Sequence, residues 1–333
     1  MPRVLVVSTS FPAHADDPSG HFVETEARLR VRAGDDVVVL TPRPSGIVVP
    51  RADGLHVEWL DGGDAFGWPG VLTRLRESPV RALGAAQFVL AARRAAERLG
   101  PFDDVIAHWL VPAAWPIAPP ARRVFEVVVH GSDVGLVERL PRAYRVALAR
   151  RLLARGARFR FVSRDLMGRF VAATTTDVVA NSYVEPCAID VLGAPSRAAA
   201  RLLHGLGDER LAVVVGRLVP SKAPARAVSL ALEATDHVVV VGDGPLLDEL
   251  VAAFPGVRFV GKLSRRDALA WIAAADVVVS ASREEGASTV VREARALGTR
   301  VLAVPAGDLA AQALLDPGIT LVTDAVRETA ARS

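Results

Sequence analysis

Residues 276–298 read "DVVVSASREEGASTVVREARALG" and contain one strand, one loop and one helix in succession. The apolar run at its start has the continuous β-branched composition of a parallel strand that is covered by helices on both faces. A polar loop around Gly286 follows, and the segment "TVVREARALG" then repeats apolar residues at helical spacing. The stretch therefore predicts one strand-loop-helix unit of an α/β sheet.

The same alternation of strand and helix runs through the rest of the sequence. Apolar runs that predict strands occupy residues 3–10, 36–42, 104–109, 124–130, 158–163, 211–218, 237–244, 257–261, 276–282 and 300–306. Segments with helical spacing lie between them and include residues 79–99, 224–235, 264–275 and 289–298. Strands that alternate with helices predict parallel sheets with helices on both faces.

The alternation is interrupted at residues 181–196, where Pro186, Gly193 and Pro195 break the pattern. We therefore predict an α/β protein with two Rossmann-like, doubly wound domains at residues 1–184 and 185–333, facing a central cleft. Domains of this kind bind ligands outside the carboxyl ends of their strands. The residues that follow each strand are therefore the candidates for a functional site.

The composition is that of a globular protein. Of 333 residues, 51% are hydrophobic and 23% are charged, and no apolar run approaches the roughly 18 residues of a membrane span. The N-terminal sequence predicts a first strand and not a signal peptide. The single cysteine, Cys187, excludes an intrachain disulfide and a cysteine cluster for metal. It suits a reducing compartment, and we expect the protein to be cytoplasmic.

The basic residues are concentrated between Arg139 and Arg169, although the net charge of the whole chain is only +3. A solvated helix face explains this stretch, and so does a surface for anionic lipid or a phosphorylated acceptor. Arginine and leucine are not segregated there, so a helix lying on a membrane is not established. Peripheral membrane contact thus stays open. No nucleic-acid-binding motif occurs, and we predict no nucleic-acid partner.

Two cations follow the predicted strand at residues 211–218. Arg217 offers a planar fork of donors, and Lys222 offers a point charge just before the next helix, so the two suit a diphosphate. Lysine occurs in this arginine-rich chain only at positions 222 and 262. Solvated surface cations remain the alternative interpretation.

Acidic residues flank the helix start in the opening stretch. Glu285 lies in the loop and Glu293 lies within the helix, so the two can hold different parts of one elongated ligand. Amides of Gly286, Ala287 and Ser288 at the helix entrance suit phosphate. Acids beside an anion site are favourable when they accept hydrogen bonds from hydroxyls. A sugar, a diphosphate and a ribose together satisfy this arrangement.

The first domain offers weaker signals. No dinucleotide-binding glycine fingerprint and no P-loop occurs, which argues against a nucleotide-cofactor dehydrogenase and a P-loop enzyme. Gly20 and His21 stand at a helix start after a long loop, where either a phosphate or an ordinary turn explains them. His130 follows a strand beside a glycine, with a structural and a chemical role both open. His108 has a still weaker claim to function.

These segments resemble the family-4 retaining glycosyltransferases of the GT-B fold. The likeness rests on "VGRLVPSK", "GDGPLLDEL", "VHGSDV" and the long stretch from Phe259 to Ala303, and it covers nearly the whole chain. Its most specific part is an arginine and a lysine five positions apart, followed by two glutamates eight positions apart. Each part alone would be weak, and the order and spacing together are specific.

The resemblance implies a role for each matching residue. Arg217 and Lys222 would bind the donor's diphosphate, Glu285 would hold hydroxyls of the donor sugar, and Glu293 would hold the ribose. His130 would contact the sugar near the reacting carbon. The loop at Gly20 would close over the phosphates, and the backbone around Lys262 would meet the base. The implied reaction uses a nucleoside diphosphate sugar as co-substrate, without cofactor or metal.

The chain departs from the family pattern at three places. Ser19 stands where the family often has a first glycine, "PAGDLAAQ" lacks the usual glutamate, and only eleven residues follow "ITLV". The resemblance implies further helices that cross back to the first domain, so the coupling of the domains is left open. A GT-B nucleotide-sugar epimerase and an inactive nucleotide-sugar-binding or assembly subunit are the alternative functions.

Overall fold

The computed structural model describes residues 1–14, 17–44, 54–67 and 70–322. The chain divides into two compact units, Met1–Ala188 and Ile189–Ser333. This division lies four residues after the predicted boundary at 184/185. The C-terminal segment discussed above, residues 323–333, lies outside the described residues.

The first unit contains one parallel sheet of seven strands in the order β3-β2-β1-β4-β5-β6-β7. Its strands are β1 (Arg3–Val7), β2 (Asp36–Pro42), β3 (His56–Leu60), β4 (Asp104–His108), β5 (Val124–Val129), β6 (Ala157–Phe161) and β7 (Ser182–Val184). Its helices are α1 (His21–Arg32), α2 (Val71–Glu77), α3 (Arg81–Leu99), α4 (Gly131–Glu138), α5 (Arg142–Ala154) and α6 (Arg164–Ala173). Shorter helical segments are Gly63–Ala65, Leu110–Ile117 and Thr176–Asn181.

The second unit contains one parallel sheet of six strands in the order β10-β9-β8-β11-β12-β13. Its strands are β8 (Leu211–Val215), β9 (His237–Val241), β10 (Arg258–Phe259), β11 (Val277–Ser280), β12 (Arg300–Ala303) and β13 (Ile319–Leu321). Its helices are α7 (Arg197–Leu203), α8 (Pro224–Ala234), α9 (Leu247–Ala253), α10 (Arg265–Ala274), α11 (Thr289–Ala296) and α12 (Leu309–Leu315), with a 3₁₀ turn at Pro220–Lys222.

The strand order reverses once in each sheet. In the first sheet β1 lies between β2 and β4, and in the second β8 lies between β9 and β11. Successive connections therefore leave the central strand in opposite directions and open a crevice at its carboxyl end. Two apolar layers cover the faces of the second sheet, one around Trp271 and Val291 and the other around Val228 and Leu230. This packing holds the strand ends in place.

The predicted elements agree with the observed ones in the sheet interiors and differ at the edges. The predicted helices 79–99 and 289–298 correspond to α3 and α11 with shifts of two residues or fewer at each end. The strand predictions omitted β3, β7 and β13, all of which are edge strands. An edge strand is covered less completely, so it lacks the continuous apolar run that identifies a central parallel strand.

The basic stretch from Arg139 to Arg169 includes arginines with structural contacts. The guanidinium of Arg151 lies 3.9 Å from the ring centroid of Trp115, and Arg169 pairs with Glu138 at 2.6 Å. Other arginines of the stretch are exposed, among them Arg139, Arg142 and Arg150. Across the described residues, no helix is both long enough and apolar enough to pass through a bilayer.

Candidate active site

The loops that leave β8 and β11 meet at the reversal point of the second sheet and carry the predicted cations and acid. Lys222 Nζ lies 2.5 Å from Glu285 Oε1, although 63 positions separate the two residues in sequence. The backbone amide of Arg283 donates to the carbonyl of Ser221 at 2.9 Å, which joins the two loops directly. The structure thus brings Lys222 and Glu285 together as an ion pair.

Glycines allow these loops to pack closely. Gly242, which follows β9, has a φ of +146°, and a Cβ atom there would lie 1.8 Å from the carbonyl oxygen of Gly216. Gly307 has a φ of +53°, and its Cβ would lie 2.4 Å from the carbonyl oxygen of Glu285. A larger residue at either position would move the loops that hold the ion pair.

The electrostatics of this cluster favour an anionic ligand. Burial lowers the pKa of the Arg217 guanidinium below its ordinary value, and the charge of Glu285 acts in the opposite direction. A guanidinium that has lost part of its hydration gains when an anion replaces the missing water. The side chain of Lys222 is 28% exposed and that of Glu285 is 9% exposed, so the lysine is the more accessible partner.

The segment after Glu285 leads directly into α11. Gly286, Ala287 and Ser288 precede the helix, and Ser288 is its N-cap, with Oγ accepting from the amide of Val291 at 3.5 Å. The first amides of a helix have no acceptor within the helix and carry partial positive charge. Of the three predicted phosphate-facing amides, that of Ser288 is at the N-cap, and those of Gly286 and Ala287 precede it, next to Glu285 in the chain.

Glu293 lies in α11 and is nearly inaccessible, with 4% of its surface exposed. Its Oε1 accepts from Arg265 Nη1 at 2.6 Å, and Arg265 also donates to the carbonyl oxygen of Asp190. Glu285 and Glu293 therefore have different cationic partners. Lys262 lies near the loop after β9. Its neighbour in the chain, Gly261, accepts a hydrogen bond at its carbonyl from the amide of Gly242, in that loop, at 2.8 Å.

In the first unit, His130 lies at the carboxyl end of β5 as the N-cap of α4 and packs among aromatic rings. The centroids of Trp109 and Phe22 lie 4.7 and 5.2 Å from that of His130. His130 Nε2 lies 3.3 Å from Nδ1 of His108, and the two imidazoles are stacked. His108, to which the sequence analysis gave little weight, thus contacts His130, the predicted catalytic histidine.

Both imidazoles are held neutral by their surroundings. Burial lowers the pKa of His108 to about 3, with the charge of Arg160 acting in the same direction. Burial, followed by the neighbouring His108, holds the pKa of His130 well below its ordinary value. A neutral imidazole can donate from one nitrogen and accept at the other, which suits contact with a hydroxyl group.

Asp133 connects the loop after β4 to the start of α4. One carboxylate oxygen accepts from the amide of Leu110 at 2.9 Å, and the other accepts from the amide of Val134 at 3.0 Å. Burial raises the pKa of Asp133 to about 7, against the effect of these hydrogen bonds. Trp109, between His108 and Leu110, has a φ of +78°, which a side chain of this size rarely adopts. Asp133 therefore helps to hold a strained turn beside His130.

Gly20 and His21 lie at the start of α1, next to Phe22, whose ring contacts His130. Gly20 has a φ of +64°, and a Cβ there would lie 2.2 Å from the carbonyl oxygen of Ser10. The glycine therefore allows the helix start to pack against the loop after β1, which identifies a close backbone approach as its structural requirement.

A buried ionic network supports His108 from the side away from His130. His108 Nε2 lies 3.7 Å from Glu26 Oε2, and the same oxygen lies 2.5 Å from Arg160. Arg160 also lies 3.4 Å from Glu126, which accepts a hydrogen bond from Tyr183. This network links α1, β4, β5, β6 and β7 beside the imidazole of His108.

Sequence reasoning missed several residues of these two clusters, namely Glu26, Trp109, Asp133, Arg160 and Arg265. Position at a strand end was an available signal for Trp109, and Asp133 stands three residues after His130, where an acid commonly caps a helix. Glu26, Arg160 and Arg265 carry no comparable signal. Glu26 and Arg160 form a pair across 134 positions of sequence, and Arg265 and Glu293 form a pair across 28.

Comparison with known proteins identifies the family. The family model described as glycosyl transferases group 1 matches residues 209–332. A GDP-mannose-dependent alpha-mannosyltransferase of Mycobacterium tuberculosis is 30% identical over 322 residues, covering 92% of this chain and 79% of that protein. The glycosyltransferase TuaC of Bacillus subtilis, whose name places it in teichuronic acid biosynthesis, is 26% identical over 324 residues. That match covers 92% of this chain and 81% of TuaC.

The fold comparison agrees with the sequence comparison. Sucrose-phosphate synthase of Thermosynechococcus elongatus superposes with a TM-score of 0.74 at 19% identity, covering 97% of this chain and 86% of that one. The chain therefore belongs to the group 1 glycosyltransferases and has the GT-B fold. It is an enzyme that transfers sugars from nucleotide sugars. The predicted family, fold and enzyme class are confirmed.

Proposed function

We propose that this enzyme is a retaining, metal-independent glycosyltransferase that moves a sugar from a nucleoside diphosphate sugar to an acceptor hydroxyl. The observation that carries the proposal is the convergence of Arg217, Lys222 and Glu285 at the reversal point of the second sheet. Two cations and one carboxylate there match a ligand that has a diphosphate on one side and sugar hydroxyls on the other.

In this proposal the cations assist departure of the diphosphate. As the bond between the sugar and the phosphate oxygen breaks, negative charge accumulates on the diphosphate. Lys222, Arg217 and the amides of residues 286–288 are the groups available to stabilise it. In this proposal these groups act without a cofactor or a metal ion. The diphosphate would compete with Glu285 for Lys222 and thereby release the carboxylate toward the sugar.

The remaining residues would orient the donor and the acceptor. Glu285 would accept hydrogen bonds from sugar hydroxyls, Glu293 would hold the ribose, and the backbone near Lys262 would meet the base. Gly20 and His21 would approach the phosphates. His130, as a neutral imidazole, would contact a sugar hydroxyl close to the reacting carbon. Front-face attack by the acceptor, without a covalent enzyme intermediate, is part of the proposal.

The relatives suggest which donor to test first. GDP-mannose carries its sugar in the α configuration, so the alpha-mannosyltransferase named above makes its product with net retention. We therefore take GDP-mannose as the first candidate donor and include UDP and ADP sugars beside it. The acceptor is proposed to be a small molecule, a glycan or a lipid-linked hydroxyl, and the exposed arginines of α5 offer a surface for its anionic groups or for peripheral membrane contact. The cysteine content fits the cytoplasm as the site of the reaction.

The test of the donor site is binding of nucleoside diphosphates by Lys222→Ala without divalent metal. Loss of one charged hydrogen bond worth about 1.5–3 kcal/mol should weaken the diphosphate about 10- to 100-fold, while the phosphate-free nucleoside should bind unchanged. Arg283→Ala is the matched control, because Arg283 is an exposed cation in the adjoining loop. Equal weakening of both ligands, or loss of wild-type binding in EDTA, would contradict the proposal.

Turnover distinguishes this function from its alternatives. Incubation of the intact donor with an acceptor mixture should give a new glycoside whose anomeric configuration matches that of the donor. An epimerised nucleotide sugar in the absence of acceptor would indicate an epimerase. An inverted product would contradict retention and leave the donor site as described.

A further inference from the structure

The two histidines at the carboxyl edge of the first sheet have a third neighbour that the proposed reaction does not use. The chain after β7 brings the thiol of Cys187 next to them, and one ligand atom each from His108, His130 and Cys187 lies within 4.8 Å of the other two. Cys187 is 5% exposed and His108 is 1% exposed, whereas His130 is only partly buried. The cluster thus has two buried members and one that solvent can reach.

The distances fit a tetrahedral metal ion. Two nitrogens that each lie about 2.0–2.1 Å from a tetrahedral Zn²⁺ are about 3.3–3.4 Å apart. The observed separation between His108 Nδ1 and His130 Nε2 is 3.3 Å. With a Zn–S bond of about 2.3 Å, a movement of the Cys187 sulfur by roughly 1 Å completes three protein ligands. The fourth position would be left for water or another ligand.

A carboxylate lies on the side of His108 away from the proposed ligand atom. The other ring nitrogen of His108, Nε2, lies 3.7 Å from the carboxylate of Glu26. Glu26 is thus on the side of the ring where a metal-binding histidine commonly has a carboxylate, and Nδ1, on the side of His130, is the ligand atom. The charge of nearby Arg160 is compensated by Glu26 and Glu126, so two carboxylates face one guanidinium. These carboxylates offset the positive charge of Arg160, which by itself opposes a cation at His108.

We propose that His108, His130 and Cys187 form a site for a thiophilic divalent metal ion, with Zn²⁺ as the best fit, and that the bound ion inhibits sugar transfer by occupying His130. Thiolate and imidazole ligands at these separations select Zn²⁺ over Mg²⁺ or Ca²⁺, which require oxygen ligands. Binding replaces the hydrogen bond between the histidines and releases the thiol proton of Cys187 to solvent. The inhibitory part rests on the proposed function of His130, and the metal-binding part does not.

The binding test uses the whole 333-residue chain, freed of metal with a chelator and then desalted. Titration with Zn²⁺ against a chromophoric chelator should show one site, and Co²⁺ should give the intense near-ultraviolet absorption of a cobalt–thiolate bond. Cys187→Ser, which keeps the side chain small and polar, should weaken Zn²⁺ by more than the 10- to 100-fold typical of a lost supporting contact. His237→Gln is the control, because His237 is exposed at the start of β9.

A Zn²⁺ affinity that is unchanged in Cys187→Ser, or a cobalt spectrum without the thiolate band, would overturn the site. Melting temperatures in chelator show whether Cys187→Ser is folded. If that variant is unfolded, His108→Gln tests the same site through a different ligand, and unchanged Zn²⁺ affinity there overturns it as well.

The activity test separates the two parts of the proposal. Zn²⁺ should inhibit transfer with the same midpoint as binding, and Cys187→Ser should move both midpoints together, each measured against that variant's own rate in chelator. Binding without inhibition would overturn the inhibitory part and retain the site. Absence of wild-type transfer in chelator, restored by metal, would instead contradict the metal-independent reaction under "Proposed function".

Discussion

Glu285 and Glu293 are separated by eight positions and have different cationic partners, Lys222 and Arg265. The proposed division of labour between sugar and ribose starts from this difference in partners. Lys222 is neutralised by Glu285, so a diphosphate must compete with that carboxylate. Arg265 instead holds the Glu293 carboxylate in a nearly inaccessible position within α11.

This arrangement predicts different effects for two substitutions. Glu285→Gln should leave nucleoside diphosphate affinity unchanged or tighter, because Lys222 loses its competing partner. Its kcat should fall about 10- to 100-fold, since a charged hydrogen bond to the sugar worth roughly 1.5–3 kcal/mol is lost. Glu293→Gln should weaken nucleoside diphosphate and intact donor equally, because both carry the ribose.

Calorimetric titration of both ligands, with steady-state kinetics, measures this difference. Glu284→Gln is the matched control, since Glu284 is an exposed acid in the same loop. Indistinguishable profiles for Glu285→Gln and Glu293→Gln would show that the two carboxylates do not divide the donor between them.

At the scale of single elements, helix starts and loop crossings determine where a glycine is needed. Gly20 precedes α1 in a left-handed conformation against Ser10, whereas Gly168 lies within α6, exposed and with open space where a Cβ atom would lie. Gly168 has no contact that requires a glycine, and helix interiors favour alanine. The two glycines therefore respond differently to the same substitution.

Gly20→Ala should destabilise the first unit by about 1–3 kcal/mol, because the backbone strain and the contact with Ser10 both oppose a Cβ atom. Gly168→Ala should stabilise it by about 0.5–1 kcal/mol. Both lie in the same unit, which holds four of the chain's five tryptophans, so urea unfolding followed by tryptophan fluorescence reports both. Equal shifts of the two midpoints would contradict the assignment of the Gly20 turn.

At the scale of the whole molecule, the buried titratable groups of the first unit make its stability depend on pH. The pKa of His108 is lowered to about 3, so between about pH 3 and 6.5 the unfolded state binds a proton that the folded state does not. Stability from this group is present above pH 6.5 and is lost as the pH falls. Asp133 acts in the opposite direction: its pKa is raised to about 7, so its contribution is lost as the pH rises toward 7.

The variant His108→Gln isolates the histidine contribution. Between pH 4 and 6.5 the free energy of unfolding of the wild type should rise with pH more steeply than that of the variant, by up to about 1.4 kcal/mol per pH unit. Above pH 7.5 the two curves should run parallel. Tryptophan-monitored urea titrations across this range measure both slopes, and equal slopes below pH 6.5 would show that His108 is not held neutral.

Much of the fold follows from the sequence. Central parallel strands must be apolar on both faces, so continuous apolar segments, such as those of β8 and β11, identify them in the sequence. The positions of Arg217, Lys222 and Glu285 after those strands were also predictable, since the carboxyl ends of parallel strands share one edge. The edge strands β3, β7 and β13 were not predicted, because a partly exposed strand can contain both polar and apolar residues.

The tertiary structure alone decided which residues meet. Strand order places β4 beside β5 and returns the chain after β7 to the same edge, so His108, His130 and Cys187 converge although up to 79 positions separate them in sequence. The pairing of Lys222 with Glu285, and of Arg265 with Glu293, likewise depends on the order in which strands and helices pack. Local sequence determines whether a segment forms a helix or a strand, because hydrophobic periodicity and residue composition act over a few residues. Partners across a sheet are selected by the packing of the whole unit, where burial and charge are balanced between distant segments.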